Sequence, residues 1–379
     1  MIYADNASTT QISDSVLEKM LPFLCEQYGN ASNLYSLGIE ARRTIEQARK
    51  QVAAAIGAEP HEITFTSGGS ETNNWVIRGV TDSHARETVH VITSSIEHPS
   101  VLNTCRALER KGIKCTYLPV NSNGLVAVND VKSAITPNTK LVSIMMANNE
   151  IGTIQPIAQI GQLLREKGIL FHTDAVQAVG HIPVDVNGLH VDFLTASAHK
   201  FNGAKGTGIL YKRSGLVLPS MIFGGGQEQG QRAGTENVAG IVAAGYAIEE
   251  RQTYMAEAVF KLKTLADITF SIIKSKIPSA RVNGDFDNRL PGLINLGFDN
   301  VSGESLMHIL DMKGICVSTS SACNAGNDEP SHVLLALGQT EQQAKSAIRI
   351  SYGRFNSDKD AKIVAAAVCD AYERITRIS

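Results

Sequence analysis

The sequence predicts an α/β protein: a large domain with a mostly parallel sheet flanked by helices, then a smaller α+β domain. Three observations carry this. From about Ser13 to Glu250, short β-branched runs alternate with longer stretches of helical period, as when crossover helices join parallel strands. After about Glu250 the pattern changes to one long helical stretch followed by shorter strands. A chain of 379 residues also exceeds one minimal domain. The expected division is 13–255 for the large domain, with 1–12 and 256–379 forming the small one.

The strands are read at Ile63-Thr64-Phe65, Val89-His90-Val91-Ile92, Leu141-Val142-Ser143-Ile144, Ile169-Leu170-Phe171-His172 and Asp192-Phe193-Leu194. In parallel sheets, ligands gather beyond the carboxyl ends of the strands. Ser67, His98, Asn149, Asp174 and His199-Lys200 all fall there. Residues 255–274 carry Val259, Leu262, Leu265, Phe270 and Ile273 at helical spacing, which suits a long helix entering the second domain. Strands follow near Ile294-Asn295-Leu296 and Ile315-Cys316-Val317. A helix over Asp358–Ile378 ends the reading, with Ser357 and Asp360 spaced as a capping box. Residues 1–10 are expected to pack on the second domain.

Apolar content of 43% and charged content of 19% are those of a globular enzyme with a large core. A net charge of −2 gives no electrostatic argument for a nucleic-acid or membrane partner. Arg42-Arg43 lies in helical pattern and reads as a solvated face. No apolar run reaches membrane-span length, and residues 1–10 do not form a secretory signal, so the expected location is cytoplasmic. The six cysteines, Cys25, Cys105, Cys115, Cys316, Cys323 and Cys369, form no CxxC pair and suggest neither a disulfide framework nor a zinc knuckle. All but Cys323 read as small buried hydrophobes.

The chemistry centres on Ser197-Ala198-His199-Lys200, downstream of Asp174 and Gln177. A lysine able to form a Schiff base, with a carboxylate to keep a pyridine nitrogen protonated, points to pyridoxal 5'-phosphate. Gln177 is spaced to reach that ring's phenolic oxygen. Taken alone, Asp174 would be an ordinary helix cap. The run Thr66-Ser67-Gly68-Gly69-Ser70-Glu71-Thr72 reads as a strand end, a glycine turn and a helix start near Ser70, where free N–H groups can hold a phosphate. It is neither a P-loop nor GxGxxG, and by itself it is equally an ordinary turn. His98, before Pro99, is expected in extended backbone as a flat group able to stack on the ring. Most single histidines are structural, so His98 gains its weight from these neighbours.

Cys323 lies in the run Ser318-Thr319-Ser320-Ser321-Ala322-Cys323-Asn324-Ala325-Gly326-Asn327-Asp328-Glu329-Pro330, small, polar and poor in core-forming side chains. A thiol on such an exposed loop is a candidate nucleophile. Arg349 alternates with apolar neighbours in Ile348-Arg349-Ile350. It is either a bidentate clamp for a substrate carboxylate or, as the pattern alone favours, a surface ion-pair partner.

Together these motifs resemble the cysteine desulfurases of the NifS/IscS type, in the class V aminotransferase group with the fold-type I PLP-dependent transferase fold. The resemblance spans nearly the whole chain. It rests on Asp5-Asn6-Ala7 with Thr9-Thr10, Ser67-Gly68 onward, Glu97-His98 and Asn148-Asn149-Glu150-Ile151-Gly152. It continues through His172-Thr173-Asp174-Ala175-Val176-Gln177, the Lys200 run, Gly224-Gly225-Gly226-Gln227-Glu228, Arg232-Ala233-Gly234-Thr235 and Ser320-Ser321-Ala322-Cys323.

The resemblance implies Lys200 as the Schiff-base lysine and proton carrier, His98 stacked on the ring, and Asp174 and Gln177 on its nitrogen and phenolic oxygen. It implies Gly69, Ser70, Ser197 and His199 on the phosphate, joined by Thr235 from the partner subunit of a homodimer. Asn149 and Arg349 would fix L-cysteine, and Cys323 would take its sulfur as a persulfide, releasing L-alanine. A sulfur-acceptor protein is then required, for iron–sulfur cluster assembly or for tRNA or other thiolation, without direct nucleic-acid binding. The sequence departs from the family where Gly29-Asn30-Ala31-Ser32-Asn33-Leu34-Tyr35 lacks its usual Pro and His, and where Ser320 replaces a common glycine. The chain also stops at Ser379, without the longer tail some members use to dock a scaffold. A selenocysteine lyase or another class V lyase or aminotransferase is the alternative. A non-catalytic partner protein is the remote one.

Overall fold

The computed structural model describes residues 1–85, 87–319 and 329–378. In chain order the strands among them are β1 (Ile2–Tyr3), β2 (Ile63–Thr66), β3 (His90–Ser94), β4 (Lys114–Leu118), β5 (Thr139–Ser143), β6 (Leu170–Asp174) and β7 (Phe193–Ser197). There follow β8 (Gly208–Lys212), β9 (Arg281–Val282), β10 (Leu293–Gly297), β11 (Ile315–Cys316), β12 (Ser318–Thr319) and β13 (Ala347–Ser351).

The main sheet has the order β2-β8-β7-β6-β5-β3-β4. Its strands pair in parallel except β8, which is antiparallel to both β7 and β2. β2 therefore runs the same way as β3 to β7, and their carboxyl ends share one edge. The reversal at β8 follows from its connection: residues 198–207 are too few for the crossover a parallel return needs.

Each strand feeds two cores by simple alternation. Ile92, Val142, Leu194 and Ile209 face one layer, with Ile45, Val52, Ile241 and Ile248 of helices Ser36–Ile56 and Val238–Thr253. Val91, Leu141, Phe193 and Leu210 face the other, with Trp75, Ile77, Val101 and Leu108 of helices Gly69–Ser83 and Pro99–Glu109. A sheet covered on both faces must be apolar throughout, which is why these strands read as continuous hydrophobic runs.

The second core lies between the antiparallel sheet β12-β13-β10-β9 and helices Met255–Lys276 and Asp358–Ile378. Leu262, Leu265, Ile294, Leu296, Ile348, Ile350, Val364 and Val368 fill it. The capping box at Ser357 closes reciprocally: the Ser357 N–H donates to Asp360 Oδ2 at 2.8 Å and the Asp360 N–H to Ser357 Oγ at 3.3 Å. β1 pairs in parallel with β11, and Ala4 is buried in this second core. Two smaller apolar clusters join the halves beside the strand ends. In one, Ile96, Met145 and Ile151 pack with Val333, Leu334 and Ala347; in the other, Ala7 and Ala147 pack with Leu290 and Leu293.

Two expectations need correction. The single strand read over Ile315-Cys316-Val317 is two short strands, because β11 pairs with β1 whereas β12 pairs with β13. Cys25 is exposed at the end of the four-residue helix Pro22–Cys25, too short to bury a face. The described cysteines are all free thiols. Among the described residues, no helix is long and apolar enough to cross a membrane.

Candidate active site

At the carboxyl ends of the strands lies a cavity of about 290 Å³ lined by Gly69, Ser70, His98, Asn149, Asp174, Gln177, Ser197, His199, Lys200 and Arg349. These are the sequence-predicted site residues, apart from Thr235 and Cys323. Thr235 lines a separate cavity with Ser67, Glu228 and Arg232. Cys323 lies outside the described residues.

One wall is the start of helix Gly69–Ser83. Its N-cap is Gly68, with no side-chain cap, so no side chain occupies the first-turn amides. The turn is tied from beneath, where Thr72 N–H donates to the Gly68 carbonyl and Thr66 Oγ1 meets Thr72 Oγ1 at 2.8 Å. A Cβ on Gly69 would stand 2.8 Å from Val176 Cγ2. Glycine there keeps the backbone close to whatever the amides hold.

Asp174 closes β6 and is buried. Oδ2 accepts from Asn73 Nδ2 at 2.6 Å and Oδ1 from the Val176 N–H at 3.0 Å. These two donors fix the carboxylate at the cavity wall. His98 caps helix Pro99–Glu109 from extended backbone (φ −59°, ψ 146°), as the following proline requires. Its Nδ1 accepts from the Ser100 N–H at 3.2 Å, which leaves Nε2 as the protonated ring nitrogen of the neutral form. Burial, more than the charge of Lys200, holds this imidazole below its usual pKa, with Asp174 opposing. His199, with Nδ1 3.1 Å from Thr9 Oγ1, is pushed down to about 4 by burial and then by Lys200 and Lys205.

Lys200 Nζ donates to the carbonyls of Ala7 at 2.6 Å and Ser8 at 2.8 Å. Gln177 Nε2 donates to the same Ala7 carbonyl at 2.8 Å. Arg349 is only 3% exposed, so the surface ion pair that its sequence pattern favours is excluded. Its Nη1 donates to the Asn149 carbonyl at 2.9 Å, and its Nη2 to Asp5 Oδ1 and Ser8 Oγ, both at 2.7 Å.

Sequence reasoning missed four contributors: Asn73 on Asp174, Ser100 on His98 and Asn73, and the segment carrying Asp5 and Ser8. Asn73 was detectable, one helical turn beyond Gly69 and therefore on the same face. The contact of residues 5–8 with a strand over 340 residues later had no local signal.

The donor set fits pyridoxal 5'-phosphate. Uncapped amides with Ser197 and His199 suit its phosphate, a buried carboxylate its ring nitrogen, a flat imidazole its face and an amine its aldehyde. The buried Asn73 Oδ1 and Arg349 Nε have no hydrogen-bond partner among the described residues, as expected of a site built around something else.

Comparison with known proteins agrees. The family model for class-V aminotransferases matches residues 2–364. The chain is similar to the cysteine desulfurase IscS of Clostridium botulinum, 47% identical over 365 residues, covering 96% of this chain and 92% of that protein. A solved NifS-like protein matches with a TM-score of 0.93 at 38% identity, covering 98% of this chain and 99% of that one. The solved SspA in complex with cysteine matches at 0.84 and 38% identity, covering 94% and 100%.

Proposed function

Because the chain belongs to the class-V aminotransferase family, and within it to the NifS/IscS-type cysteine desulfurases, we propose that its cavity removes sulfur from L-cysteine and hands it to Cys323. The enzyme is a pyridoxal-phosphate-dependent cysteine desulfurase with the fold-type I architecture. The observation that carries the assignment of roles is one cavity lined by Lys200, Asp174, His98 and Arg349 together.

When bound, pyridoxal 5'-phosphate supplies an aldehyde for amine exchange and a protonated ring that draws electrons from the substrate's α-carbon. Gly69 and Ser70 amides, with Ser197 and His199, would hold its phosphate, and Gln177 its phenolic oxygen. Asp174 would meet the ring nitrogen, and the part-buried His98 ring would stack on the ring's face. Lys200 Nζ takes the α-proton of L-cysteine and returns it. Arg349 and Asn149 hold the substrate carboxylate. Cys323 Sγ, as thiolate, attacks the substrate sulfur: a sulfur–sulfur bond forms and the carbon–sulfur bond breaks. The electron pair stays with the carbon skeleton, which gains a proton and leaves as L-alanine.

The reading includes a cytoplasmic homodimer, with Thr235 completing the phosphate site of the partner. Its support is that Thr235 lies outside the cavity of its own chain, on a segment whose Ala233 N–H donates to the Ile222 carbonyl, beside Phe223, which is 86% exposed. The persulfide then passes to an acceptor protein, for cluster assembly or tRNA thiolation. Cys323→Ala is expected to keep the cofactor's visible absorption and lose cysteine-dependent sulfide release. Full sulfide release by that variant refutes the nucleophile. A colourless protein after cofactor addition, unaltered by Lys200→Ala, refutes the whole assignment.

A further inference from the structure

Arginine offers five N–H donors on a planar fork, and a carboxylate can grip it bidentately along either of two edges. Both edges include Nη2. In Arg349, Nη2 already donates to Asp5 Oδ1 and Ser8 Oγ, Nη1 donates to Asn149, and the buried Nε has no partner among the described residues. A substrate carboxylate can therefore be gripped at two points only after Asp5 or Ser8 withdraws from Nη2.

The two are not equally replaceable. The Asp5 bond joins opposite charges, which makes it the stronger; the Ser8 bond has a neutral acceptor. Asp5 also sits on fixed backbone. β1 holds the segment to β11, Asp5 bridges to Ser351, and Asn6 Nδ2 donates to the Ser351 carbonyl at 2.9 Å. The Ala7 N–H donates to Ser351 Oγ at 2.9 Å, and Gly353 leaves space for Asn6, where a Cβ would approach Oδ1 to 2.2 Å.

We propose that Asp5 is a positioning residue for recognition of the substrate carboxylate. It fixes the Arg349 guanidinium so that Nε stays unpaired, and Ser8 is the partner that the incoming carboxylate displaces. This rests on Arg349 holding that carboxylate, and deepens it: carboxylate recognition is an exchange of partners at Nη2, set by residues at the start of the chain.

The test uses the holoenzyme and two competitive inhibitors, 3-mercaptopropionate, which carries the carboxylate, and cysteamine, which lacks it. Asp5→Ala is expected to raise the inhibition constant of 3-mercaptopropionate and the KM for L-cysteine about tenfold, leaving that of cysteamine within about twofold. Asp5→Asn, which retains an Oδ1 acceptor, restores most of the loss. Ser8→Ala tightens 3-mercaptopropionate by about two- to threefold, since a competitor is removed. The proposal is overturned if Asp5→Ala weakens both inhibitors alike, or weakens neither while Arg349→Lys weakens 3-mercaptopropionate. Indifference to Arg349→Lys as well would remove the carboxylate assignment itself, and this proposal with it.

Discussion

Stability of the large domain should fall below pH 6.5 because of one buried ring in β6. His172 is fully buried, with Nδ1 2.8 Å from Ser143 Oγ and Nε2 3.0 Å from Thr195 Oγ1. Burial pushes its pKa down to about 3 from the usual 6.5. Because the folded pKa is depressed, stability is present above pH 6.5 and is lost as pH falls, where the unfolded chain takes a proton that the native one refuses. The loss approaches about 1.4 kcal/mol per pH unit, or ~2 kcal/mol between pH 7.5 and 5.0. His172→Gln can still donate to one hydroxyl and accept from the other, but does not titrate. Urea unfolding followed by Trp75, the one tryptophan and part of the large-domain core, reads the effect at both pH values. The wild type should lose about 2 kcal/mol more than the variant on acidification. Equal losses would refute the reasoning, since His172 would then not be held neutral by burial.

Glu97 has the opposite sign: burial raises its carboxyl to about 8, so the native state keeps a proton that the unfolded chain releases. Stability is lost as pH rises through that window, and Glu97→Gln should gain a few kcal/mol over wild type by pH 8.5 while matching it near pH 4.5. In Gly208→Ala, the new Cβ would sit 2.3 Å from Thr66 Oγ1 and 2.6 Å from the Gly68 backbone. The phosphate turn must shift, costing about 1–3 kcal/mol in melting experiments and weakening cofactor retention measured by absorption. Glu228→Ala strips the buried Arg49 of a two-point partner at 2.8 and 3.1 Å. Urea titration should register a loss of roughly 3–5 kcal/mol, and Arg49→Met with Glu228→Leu a smaller one.

What the sequence disclosed depended on how local each signal was. Asp174 ends a buried strand, and Lys200 and His98 each follow one within four residues, so strand periodicity alone put them at one edge. Arg349 was ambiguous because a period of two assigns a face of β13 but does not tell whether anything covers it. The covering comes from residues 5–8 and Asn149, remote in sequence. The reversed β8 was illegible for a similar reason: its composition resembles that of its parallel neighbours, and only its short connection sets its direction. Thr235 lies on a glycine-rich turn whose destination no local pattern encodes. There Glu228 and Gln229 adopt positive φ (47° and 58°) without being glycine.

The stitching of residues 2–8 to strands near 315 and 351 has a consequence for synthesis. A growing chain that has released β8 holds every strand of the main sheet, and with it the lysine, the carboxylate and the anion-binding turn. The contacts of Asp5, Asn6 and Ser8 with Arg349 and Ser351 must nevertheless wait until the ribosome has delivered roughly the last tenth of the polypeptide. Nascent enzyme can thus acquire its coloured prosthetic group before it can recognise an amino acid.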